Sequence, residues 1–220
     1  TIRNTMKTAQ ALKIHKIFNV NFLNNVSVFA LILTIVFCST NTALANRLET
    51  TKLMRHAAKL SQIGKNEEAL KIFLEVTRKE PNNFYAYNNL GMVYSEMKKN
   101  NKAIKAYEKS LSINPTFPMT LNNIGFLHMN MGNYKKAEMF LKKSLSLFKS
   151  FHLASMNLGE LYLKQKRYKK AMIYLKKSLK DMPSLSRAHR LMGELHKAQG
   201  RVDEAKKEFD IYKKLESRQK

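Results

Sequence analysis

The stretch NNLGMVYSEMKKNNKAIKAY, residues 88–107, decides the fold because the chain repeats its pattern at a fixed interval. Thirty-four residues later the sequence reads NNIGFLHMNMGNYKKAEMFL, and after the same interval again it reads MNLGELYLKQKRYKKAMIYL. A fixed period of this length is typical of proteins built from stacked copies of one supersecondary unit. A single unit cannot bury its own apolar face, so each copy must be covered by its neighbours.

Two ladders of small residues set the register of the repeat. The first ladder is Ala69, Ala103, Ala137, Ala171 and Ala205. The second is Ala57, Gly91, Gly125, Gly159 and Gly193. Larger apolar and aromatic residues follow these ladders at spacings of three and four, which share one face of a helix. The pattern predicts an all-α fold in which each unit is a pair of closely crossing amphipathic helices.

Breaks in the helical pattern fall where two helices per unit require them. Gly64, Gly132 and Gly200 stand in the turns inside units and suit a left-handed helix end. Proline stops a helix that would otherwise continue, and it marks the turns between units at three places. The predicted units are 50–83, 84–117, 118–151, 152–185 and 186–219.

The repeat resembles the tetratricopeptide repeat (TPR). The residues that carry the resemblance in the best unit are Tyr87, Leu90, Gly91, Tyr94, Ala103, Tyr107 and Pro115. The resemblance implies a TPR-type α-solenoid of antiparallel helix pairs, wound as a right-handed superhelix, over residues 46–220. It also implies a protein-binding scaffold whose first helices line a concave groove.

The first 45 residues have a different composition. They contain four basic residues and no acidic one, and residues 26–38, VSVFALILTIVFC, are uncharged and almost wholly apolar. A basic region, a short apolar core and the small-residue end Ala43-Leu44-Ala45 predict a signal peptide cleaved after Ala45. The alternative is an uncleaved N-terminal membrane anchor. The cleaved form predicts an exported, periplasmic or extracytoplasmic protein, and the uncleaved form predicts a membrane-anchored one.

Charge and cysteine content restrict the partners. The formal net charge is +24, which favours anionic partners such as acidic lipid or cell-wall polymer, or else a lysine-rich solvated surface. Nucleic acid is disfavoured as a partner by the predicted signal peptide. The single cysteine, Cys38, excludes a disulfide within the chain. No phosphate loop, nucleophile elbow or histidine metal pair occurs, so we predict no enzyme activity and no cofactor.

Three asparagines precede the apolar–glycine pair in consecutive units: Asn89, Asn123 and Asn157. In TPR proteins this position often reaches the backbone of a bound peptide, and an amide offers both donors and an acceptor. Alternatively, these side chains only stabilise the helix crossing or face water. The adjacent Asn88 and Asn122 are weaker candidates. Four further residues share the predicted groove face: Tyr85, Met92, Phe126 and Glu160.

The sequence therefore predicts a non-catalytic scaffold that binds a peptide or protein segment and acts in cell-envelope assembly. A second interpretation is a membrane-anchored adaptor whose second helices hold a basic convex face against anionic lipid or cell-wall polymer. A third is a structural module that self-associates, as a homo-oligomer, through the open end of the array.

Overall fold

The computed structural model describes residues 45–218, and the predicted signal or anchor segment lies almost wholly outside them. The chain divides into two compact units, residues 1–53 and residues 54–220. In the first unit the described residues are helical, and the Thr51 hydroxyl donates to the Arg47 carbonyl one turn earlier (2.7 Å). None of the helices within 45–218 is both long and apolar enough to cross a membrane.

The described part of the chain is all-α, as predicted, and contains no strand. Residues 45–62 are helical and form α1. The following helices are α2 (Asn66–Lys79), α3 (Phe84–Glu96), α4 (Asn100–Ile113), α5 (Pro118–Asn130), α6 (Tyr134–Leu147), α7 (His152–Lys164), α8 (Tyr168–Asp181), α9 (Ser186–Ala198) and α10 (Val202–Ser217). Odd-numbered helices are the first helix of each repeat and even-numbered helices the second.

The two ladders of small residues let the helices of each pair cross closely. A Cβ atom placed on Gly91 would lie 2.5 Å from the Tyr107 ring, and one on Gly159 would lie 2.6 Å from Leu175 Cγ. No side chain fits in that space without moving the partner helix. The alanines of the other ladder are at most 4% exposed, so both ladders are buried as the sequence predicts.

Turns inside the units use the left-handed backbone conformation at one position of every repeat. Gly64, Gly132 and Gly200 adopt φ values between +74° and +79°, which confirms the prediction for these glycines. The sequence pattern missed two further positions, because lysine occupies them. Lys98 and Lys166 take φ values of +60° and +56° there, at a steric cost that glycine avoids.

The packing order gives the repeat array two different sides. The second helices α4, α6, α8 and α10 pack on their own first helix, and α2, α4, α6 and α8 pack on the first helix of the next unit. Among α2 to α10, first helices of successive units also contact one another, and second helices do not. The first helices therefore lie closer together and form the inner, concave side, whereas the second helices form the outer, convex side.

Candidate binding groove

A pocket of about 240 Å³ opens on the concave side of the array. Its lining residues come from four successive first helices, with one contribution from α4: Met92, Ser95, Glu96, Tyr107, Asn122, Asn123, Phe126, Leu153, Met156, Asn157 and Arg187. Five of the nine predicted groove residues lie here: Met92, Asn122, Asn123, Phe126 and Asn157. The accessible wall of the pocket is mostly apolar, and its polar groups belong to three asparagines and to Ser95, Glu96, Tyr107 and Arg187.

A second pocket of about 120 Å³ lies beside it, between α1, α2 and α3. It is lined by Asn89, among others, and shares Met92 and Glu96 with the larger pocket. The Glu96 carboxylate accepts a hydrogen bond from the Ser61 hydroxyl at 2.9 Å. The two pockets therefore meet at α3 and present one continuous lining along the first helices.

The five predicted asparagines form one hydrogen-bonded relay across three units. Asn157 Nδ2 donates to Asn122 Oδ1 (2.9 Å), and Asn122 Nδ2 donates to Asn123 Oδ1 (3.3 Å). Asn123 Nδ2 in turn donates to Asn88 Oδ1 (3.0 Å), and Asn88 Nδ2 donates to Asn89 Oδ1 (3.2 Å). In the free protein these amides hold successive first helices together, as in the alternative interpretation of the sequence.

Asn88 and Asn157 are two deeply buried members of the relay, and their hydrogen-bond partners differ. Asn88 is 1% exposed and sits beneath the groove, where its Oδ1 also accepts from the Thr120 hydroxyl (2.9 Å). Asn157 is 4% exposed, and its Oδ1 has no hydrogen-bond partner within the described residues. An unpaired buried acceptor is costly, and this oxygen is closed to solvent, so a ligand can pair with it only after the Asn157 side chain turns toward the pocket.

Charged residues occupy the C-terminal side of the groove. Arg187 of α9 donates to the Glu160 carboxylate of α7 at 2.6 Å and lies over the Phe126 ring of α5, 4.9 Å from its centroid. Lys164 Nζ lies 3.7 Å from the other oxygen of Glu160. The predicted groove residue Glu160 is therefore engaged in an ion pair that borders the pocket and joins three units.

Tyr85 lines neither pocket, and the same is true of two other predicted groove residues, the buried Asn88 and the ion-paired Glu160. The Tyr85 side chain is 53% exposed and packs against Phe84 and Phe117, with ring centroids 4.1 Å and 5.1 Å away. These aromatic residues belong to the start of α3 and the turn before α5. Tyr85 therefore extends the apolar surface at one edge of the array.

Three titratable side chains line the larger pocket: Glu96, Tyr107 and Arg187. Within residues 45–218 no group of three His, Cys, Asp or Glu side chains could hold a metal ion. Tyr107 is the buried titratable group of the larger pocket, and burial raises its pKa well above the usual range. Its hydroxyl therefore stays protonated at neutral pH. The arrangement supplies apolar contact area, amide groups and a bordering ion pair.

Sequence reasoning missed Arg187 as a groove residue. Arg187 occupies the same position of the 34-residue repeat as Tyr85 and Leu153. Extending the predicted groove face from these residues to the last unit would have predicted that Arg187 lies on it. Ser95 and Glu96, one turn beyond Met92 on α3, were also missed. The sequence pattern does not single them out, because these positions change residue type from unit to unit.

Models of the tetratricopeptide repeat family match residues 84–117, 117–184 and 162–215. Together these matches cover more than half of the chain, and the structure has the paired helices of that family. The protein belongs to the tetratricopeptide repeat family. No curated protein sequence matches the chain significantly.

Solved structures similar to this chain are also helical repeat proteins. PilW, described as a widely conserved type IV pilus biogenesis factor, is 21% identical with a TM-score of 0.68, over 76% of this chain and 78% of its own. PilF from Pseudomonas aeruginosa is 20% identical, with a TM-score of 0.67 over 76% of each chain. MamA from Desulfovibrio magneticus RS-1 is 20% identical, with a TM-score of 0.59 over 77% of this chain and 96% of its own. At these identities the likeness establishes the fold alone.

Proposed function

We propose that this protein is a non-catalytic scaffold that binds a segment of a partner protein along the concave face of α3, α5, α7 and α9. The family supports a role in protein–protein interaction. The observation that carries the proposal is the larger pocket, whose mostly apolar wall also holds the half-buried Asn123 amide. Apolar side chains of the partner fill the pocket, and one of its backbone groups forms a hydrogen bond with that amide.

Both halves of the groove contribute to this recognition. Met92 and Phe126 give the N-terminal half an apolar surface, and methionine side chains adapt to different partner shapes. The Arg187–Glu160 pair gives the C-terminal half charge. We infer that the preferred segment carries apolar residues followed or preceded by a charged residue.

The test is selection of binding peptides from a random display library with the full chain as bait. Selected peptides are then measured against Phe126→Ala and against Met139→Ala, which removes an exposed side chain from the convex helix α6. We expect Phe126→Ala to weaken binding at least tenfold and Met139→Ala to leave it unchanged.

Two results oppose the groove proposal. Equal affinity of wild type and Phe126→Ala for every selected peptide removes the larger pocket from recognition. Loss of binding in Met139→Ala alone moves the site to the convex side. Replacing all three groove asparagines is a poorer test, because their relay also holds the units together.

We further propose that the protein acts outside the cytoplasm, in cell-envelope assembly. The signal-like pattern of residues 1–45 supports export, and the likeness to a pilus biogenesis factor is consistent with an envelope role. Cell fractionation with N-terminal sequencing of the mature protein tests this. We expect an exported chain that begins at Asn46. A chain found only in the cytosol with residues 1–45 retained contradicts it.

A further inference from the structure

The second helices α6 and α8 carry the same unusual surface pattern. Each begins Tyr-Lys-Lys-Ala and has a second pair of lysines seven residues after the first. Midway between the two lysine pairs stands a large apolar residue, Met139 in α6 and Ile173 in α8. Spacings of three and four place each apolar residue and its four lysines on one helix face.

The structure exposes both apolar side chains on the convex side. Met139 is 57% exposed and Ile173 is 64% exposed, whereas the core residues of the same helices, Leu141 and Leu175, are fully buried. The lysines beside them are exposed or half-buried. Lys142 is the member of the set that forms an ion pair, with Glu138 at 2.7 Å, and it remains 51% exposed.

Positive charge is concentrated on the middle units of the convex side. The second helices α4, α6 and α8 carry twelve lysines and three acidic residues. The outer second helices α2 and α10 carry seven basic and eight acidic residues. A lysine-rich surface that arose from composition alone would extend over all five second helices. The observed restriction indicates a bounded basic patch between second helices that are nearly neutral.

We propose that the convex face of α6 and α8 docks on an anionic lipid bilayer. The eight lysines face lipid phosphates, and Met139 and Ile173 enter the boundary between headgroups and acyl chains. Exposed apolar residues surrounded by lysine are the composition that favours such an interface. The phosphate backbone of a nucleic acid would contact the lysines but leave the two apolar side chains in water. The groove on the opposite side stays free, so this contact is independent of segment binding.

The test is a local one, because residues 26–38 could bind lipid by themselves. An environment-sensitive fluorophore is placed at Ile173→Cys in a full chain whose Cys38 is changed to serine. The protein is mixed with vesicles of pure phosphatidylcholine or of phosphatidylcholine with phosphatidylglycerol. We expect a blue shift with the anionic vesicles only, and at least a fivefold loss of the bound fraction when salt is raised from 50 to 500 mM.

The chain supplies its own matched controls in α10. Lys206, Lys207, Lys213 and Lys214 repeat the lysine spacing of α8 three residues later in the unit, and Asp210 instead of an apolar residue stands midway between the two pairs. Changing the four α8 lysines to glutamine should abolish the shift at position 173. Changing the four α10 lysines to glutamine should leave it unchanged. A fluorophore at Ile211→Cys on α10 should show no shift with any vesicle.

Three results would overturn the proposal. The first is an equal shift with both vesicle compositions, the second is an equal loss in the α8 and α10 lysine variants, and the third is a shift produced by duplex DNA but not by vesicles. Helicity and melting of each variant are recorded by circular dichroism. If the α8 lysine variant unfolds, the single change Ile173→Gln is used in its place. The fluorophore is then attached at Met139→Cys, and Ile173→Gln should reduce the fraction of protein bound to the anionic vesicles.

Discussion

At the scale of single residues, the fold depends on the small side chains where two helices cross. Ala137 is fully buried in α6, and the backbone of α5 passes close by, since a Cβ on Gly125 would lie 3.2 Å from the Ala137 carbonyl oxygen. The register of the repeat can be derived from these residues alone. The residues that surround these small side chains differ between units, but every unit leaves the same small space at the helix crossing.

The first prediction concerns overpacking at this crossing. Ala137→Leu adds three carbon atoms where no space exists and should lower the free energy of unfolding by about 1–3 kcal/mol. Urea unfolding followed by circular dichroism measures the change. Ala198→Leu at the exposed end of α9 is the matched control and should change stability by less than about 0.5 kcal/mol. Equal effects would mean that the helices do not cross at Ala137.

The second prediction concerns pH. Burial lowers the pKa of His128 and of His196 below the ordinary value of 6.5, so the unfolded chain takes up protons at a higher pH than the folded chain. Stability should therefore be greatest above about pH 6.5 and fall as the pH drops below it. Tyr94 and Tyr162 occupy the same place in other units. The double change His128→Tyr, His196→Tyr should reduce the difference in Tm between pH 7.5 and 5.5, and an unchanged difference would contradict this cause.

At the scale of helices, the repeat period recurs in the positions where the first helices begin. The first helices of units two to five begin at Phe84, Pro118, His152 and Ser186, each one period after the last. These positions are predictable because local signals act within a few residues: a proline after the helix end, a glycine in the turn, a small residue at the crossing. The positions where these helices begin and end can therefore be predicted without knowing which residues meet in the folded protein.

The asparagine relay could not be predicted in the same way. Its bonds between units join residues 35 positions apart, and their formation depends on the spacing between first helices. The sequence showed the amides and their period, but it could not decide between contact with a ligand and contact with one another. For the same reason it could not show that Arg187 reaches across to Glu160 and Phe126.

The third prediction uses the turns inside units two and four. Lys98 and Lys166 hold a left-handed backbone that glycine adopts without steric cost. Lys98→Gly and Lys166→Gly should each raise the free energy of unfolding, by about 1 kcal/mol. Lys105→Gly in the exposed middle of α4 provides the opposite control and should lower it by about 1 kcal/mol. Chemical denaturation measures the free energy of unfolding of each variant. If Lys98→Gly lowers it, the Lys98 side chain makes a contact that stabilises the fold by more than the left-handed backbone costs.

The C-terminal end of the array differs from the units before it. Leu111, Leu145 and Leu179 are half-buried at one position of the middle second helices, and the exposed Lys213 takes that position in α10. A charged residue there favours a solvated end over a stacked one. The predicted self-association through this end therefore has no support from the composition of α10.

At the scale of the whole molecule, the two sides of the repeat array have different chemistry. The concave side combines apolar pockets with amides, and the convex side of the middle units carries lysine around exposed Met139 and Ile173. One side can hold a protein segment while the other rests on a charged surface. This separation follows from the repeat itself, because each unit assigns its first helix to one side and its second helix to the other.

The measurement that tests the central claim most directly is methionine-methyl NMR of the full chain during titration with a selected peptide. Met92 and Met156 line the concave pocket, and Met139 lies on the convex side. The account predicts that the methyl signals of Met92 and Met156 shift with peptide while that of Met139 stays in place. Movement of Met139, with Met92 and Met156 unchanged, would contradict binding in the groove.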